Sequence, residues 1–216
     1  MKLALVSMAL CAGQFTGLAA AQAPTNPNLN AQLLIASRQG DLVAVARVLK
    51  QGAAVDSRNR LGKTALFMAA EKGQVELAKA LIAAGADARM ATVEKVTPLM
   101  AASYGGHAEL VSLLLKAGAT LEPVDRMSKP AVVYAAGQGH TEVLKLLLDQ
   151  GVPVNAAYAN QLTALMWAAG QGHVEAVKLL LARGADVAPR DDRGLTAADM
   201  ARQGKHDAVL ALLAPN

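Results

Sequence analysis

Residues 162–187 read Leu-Thr-Ala-Leu-Met-Trp-Ala-Ala-Gly-Gln-Gly-His-Val-Glu-Ala-Val-Lys-Leu-Leu-Leu-Ala-Arg-Gly-Ala-Asp-Val, and most of the chain is a variation on that stretch. Gly172 has counterparts at Gly40, Gly73, Gly106 and Gly139, each 33 residues from the next. Gly184 has counterparts at Gly52, Gly85, Gly118 and Gly151 with the same step. Two independent markers keeping one period over five units identify a repeat array.

The unit can be read physically. Thr163 opens a helix-compatible run closed near Gly172, a residue suited to the left-handed conformation that ends helices. From His173 to Ala182 the residues Val174, Val177, Leu180 and Leu181 recur at helical spacing, and Gly184 stops this second helix. Paired alanines on the first helix (Ala69 with Ala70, Ala135 with Ala136, Ala168 with Ala169) keep it thin enough for neighbouring units to approach. Neither helix can bury its apolar stripe alone. Stacking buries it continuously, so the expected fold is an all-α solenoid of about six helix pairs.

Thr97-Pro98-Leu99, Gly106-His107, the run Glu142 to Leu148 and Gly184-Ala185-Asp186-Val187 resemble the ankyrin-repeat consensus over roughly residues 30–214. The resemblance implies helix pairs joined by projecting β-turn fingers, in a curved stack that binds proteins on its concave side. Two departures stand out. The family's His after Thr-Pro-Leu is Phe67, Met100, Val133 and Met166 here. Its finger glycine survives as Gly62 and Gly194 only, with Lys95, Ser128 and Gln161 between them, which leaves the conformation of the middle fingers open.

The first residues are different material. Lys2, the apolar run Leu3 to Ala12 and Ala19-Ala20-Ala21 follow the three-part pattern of a secretory signal, with cleavage expected after Ala21 and a periplasmic location as its consequence. An uncleaved anchor and a lipoprotein signal are the competing readings. The run is barely long enough to span a bilayer, and Leu10 before Cys11 suits lipidation poorly. Cys11 is the only cysteine, so a mature chain has neither a catalytic thiol nor a thiolate metal site. Residues 22–30, with Pro24 and Pro27, are expected to be a flexible linker. The repeat domain then runs from 31 to 216, in units near 31–60, 61–93, 94–126, 127–159, 160–192 and 193–216. The polar first and last units are expected to cap the stack and favour a monomer.

Net charge is +4. It is dispersed, and Glu76 with Lys79, Glu142 with Lys145 and Glu175 with Lys178 read as a solvated helix face, so nucleic acid is not the expected partner. His107, His140, His173 and His206 share one repeat position. Stacked helices lie about 8–10 Å apart, too far for two imidazoles whose nitrogens must each sit about 2 Å from one zinc. They are expected to satisfy backbone groups at the start of the second helix, and no metal or cofactor is expected. Thr64, Thr97, Thr163 and Thr196 read as helix caps, and Asp191 with Asp192 as a finger brace. No acid, base and nucleophile constellation follows from the repeat, so the chain is expected not to be an enzyme.

Columns that vary between equal units are free of the packing constraint. One holds Met68, Ala101, Tyr134 and Trp167, another Glu71, Tyr104, Gly137 and Gly170. The resemblance puts both on or beside the concave side, where Gly137 and Gly170 would leave space next to Tyr134 and Trp167. The candidate partner-binding residues are therefore Trp167, Tyr134, Tyr104 and Met68, with Arg60, Leu61, Val93, Arg126, Met127, Tyr158 and Asn160 at the fingertips. Packing between first helices is the competing explanation for Tyr134 and Trp167. The expected function is non-enzymatic binding of another, periplasmic protein. Resemblance to exported bacterial ankyrin proteins implies inhibition or protection of an enzyme. A small ligand or cell-wall fragment in the groove, or a secreted host-directed role, are the alternatives.

Overall fold

A computed structural model of the chain describes residues 26–214. The proposed signal lies outside them. Twelve α-helices follow in pairs: α1 (Pro27–Gln39), α2 (Leu42–Lys50), α3 (Ala65–Glu71), α4 (Val75–Ala83), α5 (Pro98–Tyr104), α6 (Ala108–Lys116), α7 (Ala131–Gly137), α8 (Thr141–Asp149), α9 (Ala164–Gly170), α10 (Val174–Ala182), α11 (Ala197–Gln203) and α12 (Asp207–Leu213). The odd-numbered helices pack on one another in one row and the even-numbered in a second, which is the stacked solenoid the period implies. One hydrophobic core runs from Leu33 in the first unit to Leu213 in the last.

The repeat chemistry explains the boundaries. Thr64, Thr97, Thr163 and Thr196 each accept the third backbone N–H of the helix they precede, at 3.1 to 3.3 Å. Pro130 stands in that position before α7, which has no side-chain cap. Met100 and Met166, where the family has His, turn their sulfur to the backbone N–H of Thr97 and Thr163 at 3.5 Å and complete a capping box with a weak acceptor. At Gly139, φ is 72°, and a Cβ would stand 2.6 Å from Nδ1 of His173. Glycine there is required twice, by backbone and by neighbour.

One boundary differs from the sequence reading. Residues 27–30 are not linker: Pro27 is the first residue of α1, and the side chain of Asn26 caps it by accepting the N–H of Asn28 at 3.0 Å. The Pro and Asn that suggest a linker are also what a helix start uses.

Five fingers, 56–63, 89–96, 122–129, 155–162 and 188–195, project between the helix pairs. Each is closed by a backbone bond, from Asn59 to Lys63, Thr92 to Val96, Asp125 to Lys129, Tyr158 to Leu162 and Asp191 to Leu195. Lys95, Ser128 and Gln161 adopt positive φ (61°, 57° and 59°) just as Gly62 and Gly194 do, so all five turns share a left-handed residue although three lack glycine. Adjacent fingers are tied by rungs from Val93 N to Leu61 O, Arg126 N to Glu94 O and Asp192 N to Asn160 O, at 3.0 to 3.1 Å. Finger 4 is the exception. Tyr158 replaces the Asn, Thr or Asp whose side chain braces the other turns, a 3₁₀ turn spans Ala159–Gln161, and among the described residues no such rung joins finger 3 to finger 4.

Candidate functional site

The aromatic columns sit where the first helices meet the fingers. Tyr104, at the end of α5, is 54% exposed and meets Tyr134 of α7 edge to face, ring centroids 5.9 Å apart. The Tyr134 hydroxyl donates to the buried carboxylate of Asp125, whose other oxygen braces finger 3 by accepting the N–H groups of Met127 and Lys129. Burial, and then that bond to Asp125, push the Tyr134 phenol well above its ordinary range, so it is a fixed neutral donor.

Beside this pair lies a groove of about 470 Å³. Leu61 and Val93, 57% and 46% exposed, form its finger wall, the two fingers being joined by their rung. Phe67, Met100 and Ala101 lie beneath, and Tyr104 with Tyr134 closes the far side. Ala101 creates the hollow. In the same column stand Met68, Tyr134, Trp167 and Met200, so unit three alone presents a methyl group where its neighbours carry large side chains. The polar part is small and largely self-satisfied: Lys63 binds Glu71 at 2.7 Å and stands 5.1 Å from the Phe67 ring, and Glu94 faces Arg126 at 3.4 Å.

The other sequence-selected residues divide. Met68 is 4% exposed and packs internally, so its proposed partner contact is corrected: it fills the space between α3 and its neighbours. The space expected beside Gly137 and Gly170 is narrowed but not closed, since Gly170 lines a hollow of about 270 Å³ with Trp167. A Cβ at Gly137 would lie 3.6 Å from Cε3 of Trp167, and one at Gly170 3.6 Å from Cβ of Met200. Each glycine is covered by the side chain of the following unit. Trp167 is half-buried, with the Lys129 ammonium 4.5 Å from its ring, and it borders two lesser hollows of about 270 and 140 Å³. Arg60, Arg126, Met127 and Asn160 are exposed at fingertips and do not line the large groove, although Arg60 adjoins its lining residue Leu61 and Arg126 pairs with its lining residue Glu94, while Tyr158 is half-buried beside the hollow of about 140 Å³. Thus Leu61, Val93, Tyr104 and Tyr134 are brought together, and Trp167 belongs elsewhere. Ala101, Phe67 and Met100 line the groove and were missed. The signal available for Ala101 was its small size within an otherwise bulky column.

The histidines act differently from the expectation. None caps its own helix. Nε2 of His140, His173 and His206 instead reaches the carbonyl of Tyr104, Gly137 and Gly170, at 2.8, 3.0 and 3.2 Å, at the end of the preceding unit's first helix. They are ties between units that satisfy an orphan carbonyl. Among the described residues no group of three or more His, Cys, Asp or Glu is placed to hold a metal ion, and no helix is long and apolar enough to cross a membrane.

A second apolar surface lies at the start of the stack, where Ile35, Leu42 and Val43 are exposed. The first unit is therefore less polar on its outer side than the capping role expected from the sequence implies.

The model of ankyrin repeats (3 copies) matches residues 33–125 and 132–216. The crystal structure of EF0377, an ankyrin repeat protein, superposes with a TM-score of 0.76 and 33% identity, covering 85% of this chain and 96% of that one. Among curated proteins, an inactive serine/threonine-protein kinase TEX14 of Bos taurus is 48% identical over 62 residues, 29% of this chain and 4% of its own length. The mitochondrial disaggregase of Homo sapiens is 43% identical over 60 residues, 28% of this chain and 8% of its own length. The chain thus matches less than a tenth of the length of these relatives.

Proposed function

The chain belongs to the ankyrin-repeat family, and on that footing we propose that it works as a non-enzymatic module that holds another protein against its finger-side groove. Ankyrin repeats are in general protein–protein interaction modules. The observation that carries the reading to this chain is the exposed apolar wall of Leu61, Val93 and Tyr104 around an open hollow, a composition suited to a contact centre. Residues 1–21 have the charged start, apolar run and small-residue end of a cleavable export signal, so the partner is taken to be periplasmic. Inhibiting or protecting an enzyme by covering part of its surface is the narrower role, performed by a monomer.

The test is crosslinking in the periplasm with tagged mature protein and a Leu61→Ser, Tyr104→Ala variant as parallel baits. One enriched protein, lost by the variant, is the expected result. Equal capture by both baits, or none by either, counts against the reading.

The size of the groove favours one other occupant. About 470 Å³ lies within the range of roughly 300–1,000 Å³ typical of small-molecule sites. Saturable thermal stabilisation by a muropeptide, absent from the same variant, would replace the protein partner with a cell-wall fragment.

A further inference from the structure

The groove is uneven in charge. Four ionisable side chains on or across its rim cancel in pairs, Lys63 with Glu71 and Arg126 with Glu94. Two cations beside its finger wall have no such partner. Arg60 precedes Leu61 at the tip of finger 1, and Lys95 lies between the lining residues Glu94 and Val96 at the turn of finger 2. Both are exposed, and neither makes an ion pair among the described residues. Lys95 sits at the turn with a φ of 61°, a conformation in which glycine would be easier. The finger wall of the hollow is therefore flanked along the chain by two exposed cations that have no ion-pair partner among the described residues.

Resting on the protein-binding reading above, we propose that the groove accepts a large apolar side chain from a partner segment whose neighbouring carboxylates meet Arg60 and Lys95. The division of labour follows from the physics. An apolar anchor entering the space over Ala101 is desolvated on several sides by Leu61, Val93, Met100 and Tyr104, and supplies most of the affinity. The exposed cations supply attraction and orientation, raising the association rate and rejecting basic segments. A basic or phosphate-free neutral segment would leave both cations without compensation. The paired Lys63 and Glu71 leave the inner end of the groove neutral, so the carboxylates are read at the fingertips and the anchor at the helices.

The test uses the mature chain and a displayed library of random peptides, with Ala101→Met as a counter-target. Met occupies this column at Met68 and Met200, so the replacement fills the hollow with a side chain the repeat already accommodates. The expected selection is peptides with one Phe, Leu or Met and Asp or Glu close to it. Measured by fluorescence anisotropy, Ala101→Met should weaken a selected peptide by about tenfold or more, as loss of a buried anchor does. Arg60→Ala with Lys95→Ala should weaken it by about two- to fivefold, an effect that salt also produces as the Debye length falls from about 10 to 3 Å. Circular dichroism on each variant separates loss of binding from loss of fold.

Selected peptides that are basic, or that bind Ala101→Met as well as wild type, overturn the proposal while leaving protein binding elsewhere on the array intact. If sedimentation shows wild type self-associating and Ala101→Met monomeric, the occupant is a second copy and the proposal also falls. A library and a periplasmic crosslinking experiment that both return nothing remove the protein-binding reading itself.

Discussion

Between units two and three the variable column offers only Ala101, and a groove of about 470 Å³ stays open beside Glu71. Between units four and five the same column offers Trp167, whose ring lies 3.6 Å from the point where Gly137 would carry a Cβ. One repeat geometry thus gives a wide groove between units two and three, and around Trp167 only smaller hollows of about 270 and 140 Å³. The difference teaches that a vacancy belongs to a pair of residues from consecutive units. The room a glycine leaves depends on what the next unit sends over it, and here Trp167 and Met200 reach contact distance of Gly137 and Gly170 and reduce that room to smaller hollows.

Removing the filler is the largest way to break this contrast. Trp167→Ala should lower the stability of the array by about 2–3 kcal/mol, somewhat less than for a fully buried Trp because the indole is half-exposed. Loss of the Lys129 contact is included in that figure. It should also merge the hollows of about 270 and 140 Å³ that now share Trp167 as a wall. Urea denaturation measures the first effect. A change under about 0.5 kcal/mol, the range of an unremarkable surface site, would mean that Trp167 is not a packing residue. Binding at the groove should survive the substitution, since Trp167 does not line it.

Filling the open half is the complementary change. Ala101→Met should alter stability by less than about 1 kcal/mol, because the methionine enters space bounded by apolar groups without displacing a packed neighbour. A loss of several kcal/mol would show that the hollow is too constrained to accept the column's usual residue. Between these two lies a difference of capping. Pro130→Thr supplies α7 with the hydroxyl that α3, α5, α9 and α11 have, and should add up to about 1 kcal/mol in the same denaturation series.

The fold was legible because its determinants are local and repeat. Gly172 and Gly184 with their counterparts, the threonine caps and the leucine stripes each report on their own unit, and 33-residue recurrence did the rest. Pro27 was misread since a proline after asparagine serves a helix start as well as a linker. The site was legible only in part. Both columns were visible, but which side chain covers which depends on the offset between stacked units, and periodicity is silent on that offset. Attention went to the aromatics and glycines, whereas the open space followed from Ala101. The same offset explains His173: its sequence position is the start of α10, but its hydrogen bond is to Gly137 in the unit before.

The smallest expected effect concerns pH and again separates the two ends. Asn59 and Asp191 hold equivalent places and brace fingers 1 and 5 alike, Asn59 accepting from Leu61 and Lys63, Asp191 from Arg193 and Leu195, at 2.8 to 3.0 Å. Only Asp191 titrates. Burial pushes its carboxyl up, but the amides of Leu195 and Arg193 and the Arg193 guanidinium outweigh that and hold it below the ordinary 3.8. A depressed folded pKa makes the carboxylate's contribution complete above 3.8, and it fades as the pH falls through that value toward the lower folded pKa. Amide exchange at Arg193 and Leu195, corrected for intrinsic rates, should therefore lose protection in acid while Leu61 and Lys63 keep theirs. Asp191→Asn should abolish the difference, because a neutral amide retains the acceptor that finger 1 already uses. Asp87 is also held low, chiefly by its bond to Arg89, but it lies before finger 2 and braces neither turn, so the readout must be local amides and not global unfolding. Equal loss at both fingers would show that acid acts through the stack as a whole, and that the two ends differ in surface without differing in the chemistry that holds their turns.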